Sequence, residues 1–327
     1  MRVLFTSLAS VGHTYPLIPL AVAAREAGHE VHFAAGENVH GSLRRNELRP
    51  FRPADSFYEI YAEDLEPDLV RLRPDLVVHE WGQPGPAVAA ERAGIPSLWH
   101  GFGRMFPAGI GLERPALDRP HLDICPRSLQ DKDFLATAER IELRPVAYSE
   151  PALPEWRVDR APRPLVYLTL GTAFGTPEVL TTAVQGLSAL DADVVVAAGN
   201  VQLSAVPKNV TVRSWVPQAE LLPQVDLVVH HGGSGTTLSA LAVGVPQLVL
   251  PQGADQFANA EALRAAGAAL SILPEALSVD SVADGARKLL ACNGEHRDAA
   301  RAIAEEIARM PSPEEVAGDL PGWAERG

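Results

Sequence analysis

At 327 residues, with 46% apolar and 21% charged side chains, the chain has the make-up of a folded globular protein of about two domains. Its net charge of −13, from 28 basic and 41 acidic residues, argues against general binding to nucleic acid or anionic membranes, so an anionic ligand needs a local site. Cys125 and Cys292 are too few for a disulfide framework, no apolar run nears the ~20 residues that span a bilayer, and Met1 to Phe5 reads as a strand rather than a leader, so the expected location is the cytoplasm.

Strand-type runs alternate with helix-type segments from end to end, the pattern of a parallel sheet with crossover helices. In the first half the pattern predicts strands at 2–8, 29–34, 75–79 and 95–99, and helices at 14–27, 37–46 and 84–93. The stretch 52–74 is oddly short and 101–128 is irregular and rich in Gly and Pro. Either the first domain is pared down, or loops near 55–66 and 113–114 are missing. Four prolines between Glu150 and Pro164 make an extended linker, because each fixes φ and restricts its predecessor. The second half predicts strands at 164–170, 193–198, 210–213, 225–230 and 246–250, and helices at 177–190, 217–222, 234–243, 255–266, 278–291 and 295–310. The expected architecture is α/β, two Rossmann-like domains facing across a cleft, with ligands at the C-terminal ends of strands. Domain 1 spans 1–155, the linker 156–163 and domain 2 164–312; 313–327 is a tail.

The sharpest signal is His230-His231-Gly232-Gly233-Ser234-Gly235-Thr236-Thr237, between a strand-type run and a helix-type run. Strand, glycine-rich turn and helix start form a phosphate site: the glycines admit the ligand and the first helical N–H groups point at it. The loop holds no Lys or Arg, which excludes a P-loop and leaves backbone amides, hydroxyls and one imidazole to meet the charge. Four other groups sit at strand ends. His13, in Gly12-His13-Thr14-Tyr15-Pro16, is of the residue type most often used as a general base at neutral pH, although a histidine there could also cap the turn. Thr172, after Gly171, can donate to phosphate. In Trp215-Val216-Pro217-Gln218 the indole can stack on a base, the Val216 backbone can bond the base edge, and Gln218 can reach a ribose hydroxyl; a core tryptophan is the alternative. Asp255 and Gln256 pair a carboxylate with an amide, as vicinal sugar hydroxyls require, while Asp255 also suits an N-cap.

This set resembles the family 1 glycosyltransferases of GT-B fold, and among them the actinobacterial enzymes of the enediyne (calicheamicin-type) and macrolide antibiotics. The match covers nearly all of 1–327 and is strongest over 164–257, in the order and spacing of Trp215-Val216-Pro217-Gln218, His231 to Thr236 and Asp255-Gln256. The resemblance implies that Trp215 stacks on the base. It further implies that Thr172, His231, Gly233, Ser234, Gly235 and Thr236 hold the diphosphate, that Asp255 and Gln256 meet the sugar, and that His13 is the catalytic base. Where the family pairs that histidine with an aspartate, the matching position here is Glu80, in Val78-His79-Glu80-Trp81; a rim glutamate is the alternative. The implied domain roles are acceptor binding for domain 1 and nucleotide-sugar binding for domain 2, with the tail crossing back to domain 1.

The expected activity is inverting transfer of a (deoxy)sugar from a nucleoside diphosphate, dTDP or UDP, to a hydroxyl of a hydrophobic natural-product aglycone. The partners are thus the aglycone and the nucleotide sugar; no cofactor and no metal are expected, and a homodimer is left open. A non-catalytic glycosyltransferase partner and a sugar-nucleotide epimerase of the same fold are the alternatives. Asp191-Ala192-Asp193 mimics a metal-binding Asp-x-Asp but sits at the start of a strand, so it reads as a solvated turn.

Overall fold

The computed structural model describes residues 1–54, 56–106, 119–150, 162–171, 175–203, 205–291 and 294–326. Their contacts divide the chain into two units, Met1–Tyr148 with Arg309–Gly327, and Ser149–Ala308. The linker expected at 156–163 lies mostly outside the described residues.

Unit 1 runs β1 (Arg2–Thr6), α1 (Val11–Thr14), α2 (Ile18–Glu26), β2 (Glu30–Ala34), α3 (His40–Arg45), β3 (Arg49–Phe51), α4 (Ala62–Leu72), β4 (Leu76–Glu80), α5 (Pro84–Arg92), β5 (Ser97–His100), β6 (His121–Asp123), α6 (Lys132–Thr137) and β7 (Arg140–Glu142). The strands are parallel, in the order β3-β2-β1-β4-β5-β6-β7. β1 and β4 are buried on both faces, which is why they read as continuous apolar runs rather than as alternating ones. Their pairing is where the strand order reverses, the position at which doubly wound sheets bind ligands. The helix expected at 14–27 instead begins at Val11 and is interrupted by a 3₁₀ turn over Tyr15–Leu17. Pro16 and Pro19 each open a new helical segment, where a missing N–H does no harm.

The stretch 52–74 is not merely short. It holds α4, which buries Ala62, Leu65, Leu69 and Leu72 at helical spacing, with Pro67 inside it. Arg73, at φ 49°, closes the helix by donating its N–H to the Leu69 carbonyl. The segment 101–128 contributes β6, whose buried Asp123 pairs with Arg140 of β7 at 2.6 Å. Burial raises the pKa of that carboxyl, against the N–H of Cys125 and the Gln130 amide that donate to it. Residue 55 and residues 113–114 lie outside the described residues.

Unit 2 runs β8 (Leu165–Thr169), α7 (Pro177–Ser188), β9 (Asp193–Ala197), β10 (Val210–Arg213), α8 (Gln218–Leu221), β11 (Leu227–His230), α9 (Ser234–Ala242), β12 (Gln247–Val249), α10 (Gln256–Ala265), β13 (Ala269–Ser271), α11 (Val279–Leu290) and α12 (Glu295–Arg309). The parallel order is β10-β9-β8-β11-β12-β13, reversing between β8 and β11. Val166, Leu168, Val194, Val196 and Val229 pack with Leu180, Val184 and Leu187 of α7 and with Val282 and Leu289 of α11 in one core. A last helix, α13 (Pro313–Ala324), groups with unit 1 and packs on α2. Its start is a capping box: Glu315 accepts from the Ser312 N–H at 2.7 Å, and Ser312 Oγ accepts from the Glu315 N–H at 3.2 Å. Among the described residues no helix is long and apolar enough to cross a membrane.

Candidate active site

In unit 1 the turn after β1 is tied down before it presents any chemistry. Thr14 Oγ1 donates to the Leu8 carbonyl at 3.0 Å and accepts from Ser7 Oγ at 2.8 Å, while the N–H groups of His13 and Thr14 donate to the Ser10 carbonyl. His13 is thereby held at the C-terminal end of β1. Glu80 closes the neighbouring strand β4, and the structure brings the two together: His13 Nδ1 lies 3.0 Å from Glu80 Oε1, with the imidazole 26% exposed and the carboxylate fully buried. Nδ1 has no aligned acceptor, so the contact is a close charge–dipole approach rather than a linear hydrogen bond. Glu80 Oε1 accepts from the Gly82 N–H at 2.7 Å. A Cβ at Gly82 would lie 2.8 Å from Oε2 and 2.9 Å from Leu8 Cδ1, so a larger residue there would require the carboxylate or Leu8 to shift.

Three aromatic side chains gather beside this pair. The Phe102 ring centroid is 4.9 Å from that of His13, Trp81 is 5.9 Å from Phe102, and Phe106 is 4.9 Å from Trp81 and 5.9 Å from Phe102. Sequence reasoning missed them because Phe102 and Phe106 fall in a stretch without periodicity. The only available hint was Trp81, directly after Glu80. Deeper in the same sheet stand three buried histidines. Burial lowers His79 to about 3, His100 to about 4 and His121 to about 3, so all three are neutral imidazoles. His79 packs on Trp99 and His121 on Phe134, and His100 Nδ1 bonds the Gly101 carbonyl at 2.7 Å.

In unit 2 the glycine loop is shaped by close approach. Gly171 (φ +68°) and Gly233 flank the His231 ring: a Cβ would stand 2.6 Å from Cε1 at the first and 2.4 Å from Nε2 at the second. Gly232 has φ +93°, and a Cβ there would meet Val249 and the Gln256 carbonyl. Burial lowers the His231 pKa, against the Asp255 carboxylate, so the ring is neutral near pH 7. His230 is buried by contrast: its Nε2 bonds Gln247 Oε1 at 2.7 Å, its Nδ1 accepts from the Gly232 N–H at 3.1 Å, and burial pushes its pKa down to about 3. Asp191 and Asp193 both pair with Arg163. Among the described residues no His/Cys/Asp/Glu group is placed to hold a metal.

α9 starts at Ser234 with Gly233 as its N-cap and no side-chain cap, so positive potential at the loop comes from the helical N–H groups of Ser234, Gly235 and Thr236. Thr236 Oγ1 donates to Gln218 Oε1 at 3.3 Å, which joins the Trp215-Val216-Pro217-Gln218 segment to the loop. Val216 is buried in a core with Tyr167 and Leu221, whereas Trp215 is 41% exposed and not a core tryptophan. Asp255 is the N-cap residue of α10 but makes no cap bond. Its Oδ2 instead accepts from Ser234 Oγ at 3.0 Å and from the Asn259 amide at 2.9 Å. Gln256 is buried, its Oε1 accepting from the N–H groups of Gln252 and Gly253. Thr172 lies outside the described residues.

Asn259 is the residue sequence reasoning missed here. Its Nδ2 donates to the Gly232 carbonyl at 2.9 Å and reaches Ser234 Oγ at 3.2 Å as well as Asp255, fastening the glycine loop to the carboxylate. Its spacing from Asp255, i and i+4 on one helix face, was the available signal.

Two doubly wound parallel sheets, each gathering polar groups where its strand order reverses, define an α/β protein of GT-B type. The family described as Erythromycin biosynthesis protein CIII-like, C-terminal domain, matches residues 181–322. The L-demethylnoviosyl transferase of Streptomyces niveus is 34% identical, over 98% of this chain and 97% of its own. The elloramycin glycosyltransferase ElmGT of Streptomyces olivaceus is 32% identical over the same shares. The crystal structure of the glycosyltransferase VinC in complex with dTDP matches with a TM-score of 0.85 at 25% identity, covering 100% of both chains. The chain belongs to the family 1 glycosyltransferases of GT-B fold, alongside the antibiotic glycosyltransferases, and is itself a glycosyltransferase.

Proposed function

We propose that this glycosyltransferase moves a sugar from dTDP, in preference to UDP, to a hydroxyl of a hydrophobic natural-product aglycone, with inversion at the anomeric carbon. Unit 1 serves the acceptor and unit 2 the donor. The observation that carries the reading is the approach of His13 Nδ1 to the buried Glu80 carboxylate at 3.0 Å. It favours a catalyst over a non-catalytic partner. Glu80 fixes the ring and stabilises its protonated form, and Nε2 is left to take the acceptor proton. As the acceptor oxygen bonds to the anomeric carbon, the bond from that carbon to the diphosphate oxygen breaks and its electron pair leaves with the nucleotide. The uncapped N–H groups of α9 meet the growing charge, and the neutral His231 acts as a hydrogen-bond donor beside them. In the absence of a cationic side chain in the loop, the helix start takes the part a metal plays elsewhere. The dTDP in the VinC structure supports the choice of nucleotide. Within the donor site, Trp215 stacks on the base, Thr172 joins the phosphate contacts, and Asp255 with Gln256 meets the sugar. The cytoplasm is the proposed location.

His13→Ala is expected to lower transfer by about 10²–10⁴-fold, the range of general-base catalysis, while dTDP affinity measured by calorimetry stays within twofold. Normal turnover by this variant, followed by mass spectrometry of the glycosylated product, would remove His13 as the base.

A further inference from the structure

We propose that His230 and Gln247 are positioning residues for the donor: a buried chain of hydrogen bonds through their side chains sets the Gly232 backbone and so presents the start of α9 to the diphosphate. The inference rests on the proposed diphosphate site at this loop, and goes beyond it in naming what holds the loop in its binding shape.

The chain has a backbone group at each end, and the two ends fix every proton in it. The Gly232 N–H can only donate, and it lies 3.1 Å from His230 Nδ1. Nδ1 is therefore the acceptor nitrogen, and the one proton of a neutral imidazole sits on Nε2. Nε2 lies 2.7 Å from Gln247 Oε1 and donates to it. That orients the amide, whose Nε2 donates to the Thr237 carbonyl in the first turns of α9 at 3.2 Å. Both side chains are fully buried, at 0% exposure, so no ligand touches them and any effect on a ligand passes through the loop. Burial also makes each link costly to lose, because a group left unpaired here has no water to turn to. The residue type is informative too. Leu227, Val228 and Val229 before it are apolar, and another such residue would serve packing alone, whereas imidazole supplies an acceptor and a donor on opposite sides of one ring.

The place where the chain attaches decides its consequence. Gly232 has φ +93° and stands two residues before α9 begins. Its N–H turns to His230, and its carbonyl accepts from Asn259 Nδ2 at 2.9 Å. With both backbone groups held by side chains, the peptide planes on either side of Gly232 are fixed. At the far end Gln247 holds Thr237, whose own N–H donates to the Gly233 carbonyl at 3.0 Å. Loop and helix start are thus fastened as one piece, and the N–H groups of Ser234, Gly235 and Thr236 remain without an intrahelical partner. A loose loop would have to be ordered when the anion arrives, and that entropy would be subtracted from affinity.

The test separates the phosphate contacts from the rest of the nucleotide. Binding of dTDP and of thymidine, which carries no phosphate, is measured on the intact protein by calorimetry and tryptophan fluorescence. His230→Leu is expected to weaken dTDP binding by about tenfold or more, and Gln247→Leu by about threefold or more, with thymidine affinity within about twofold of the parent chain. His230→Asn places an oxygen near the Nδ1 position and is expected to recover most of the loss. His230→Gln reaches only the Nε2 position and is expected to recover little. Thermal unfolding checks that each variant is folded, and if the leucine variants do not fold, the asparagine and glutamine variants decide. Unchanged dTDP affinity in both leucine variants, equal losses of dTDP and thymidine, or equal recovery by asparagine and glutamine overturns the proposal. A parent chain that binds no dTDP refutes the diphosphate site itself, and this inference with it.

Discussion

The two polar centres solve opposite electrostatic problems. In unit 2 a dianionic diphosphate is proposed to be held without a cationic side chain. Burial keeps His231 and His230 neutral, glycines bring backbone close to the ring, and the field comes from the N–H groups of α9. In unit 1 the charge belongs to the protein: Glu80 is fully buried, held by the Gly82 N–H and faced by an imidazole at 3.0 Å. A backbone site releases its anion readily because nothing is left uncompensated when it departs. A buried carboxylate beside an imidazole is a permanent arrangement, suited to being used in every turnover.

The largest effect that would break this contrast is at Glu80. Glu80→Gln keeps shape and removes charge. It is expected to lower kcat by about 10²-fold or more, with dTDP affinity unchanged, because the ring loses the partner that stabilises its protonated form. Steady-state kinetics within threefold of the parent chain would make Glu80 a structural residue. A smaller effect is expected in unit 2. Asn259→Ala removes the donor that joins Gly232, Ser234 and Asp255, so dTDP binding is expected to weaken by about 1–3 kcal/mol while kcat at saturating donor changes little. Calorimetry showing unchanged affinity would reduce Asn259 to packing.

A third effect, on stability rather than activity, is its dependence on pH. His79, His100 and His121 titrate far below the imidazole reference when folded, at about 3, 4 and 3, so the unfolded chain binds more protons below pH 6.5. Their contribution is complete above about pH 6.5 and is lost as pH falls toward 4, by up to about 1.4 kcal/mol per pH unit per histidine. His79→Leu is expected to make denaturant-derived stability fall less steeply between pH 6.5 and 4. An unchanged slope would show that His79 takes up no proton on unfolding.

What was legible differs between the units for a physical reason. A backbone phosphate loop must be contiguous, since successive N–H groups do the binding, so His231 to Thr236 could be read directly from the chain. Long apolar strands and helices were equally plain. β3, β6, β7 and β13 escaped notice because each has three residues, and β3, β6 and β7 carry Pro, His, Asp, Arg or Glu where an apolar run is expected. α4 was hidden by Pro67 and its acidic first turn, although its buried residues keep helical spacing.

By itself the chain's order of residues determined the alternation of strand and helix, the glycine loop and the family, because each depends on neighbours within a few positions. Tertiary structure alone decided which carboxylate meets His13, that Phe102 and Trp81 stand beside it, and that Asn259 binds three groups of the loop and the carboxylate. Apart from Asn259 and Asp255, four positions apart, those contacts join residues tens of positions apart, and parallel strand pairing is what brings β1 beside β4 and β8 beside β11.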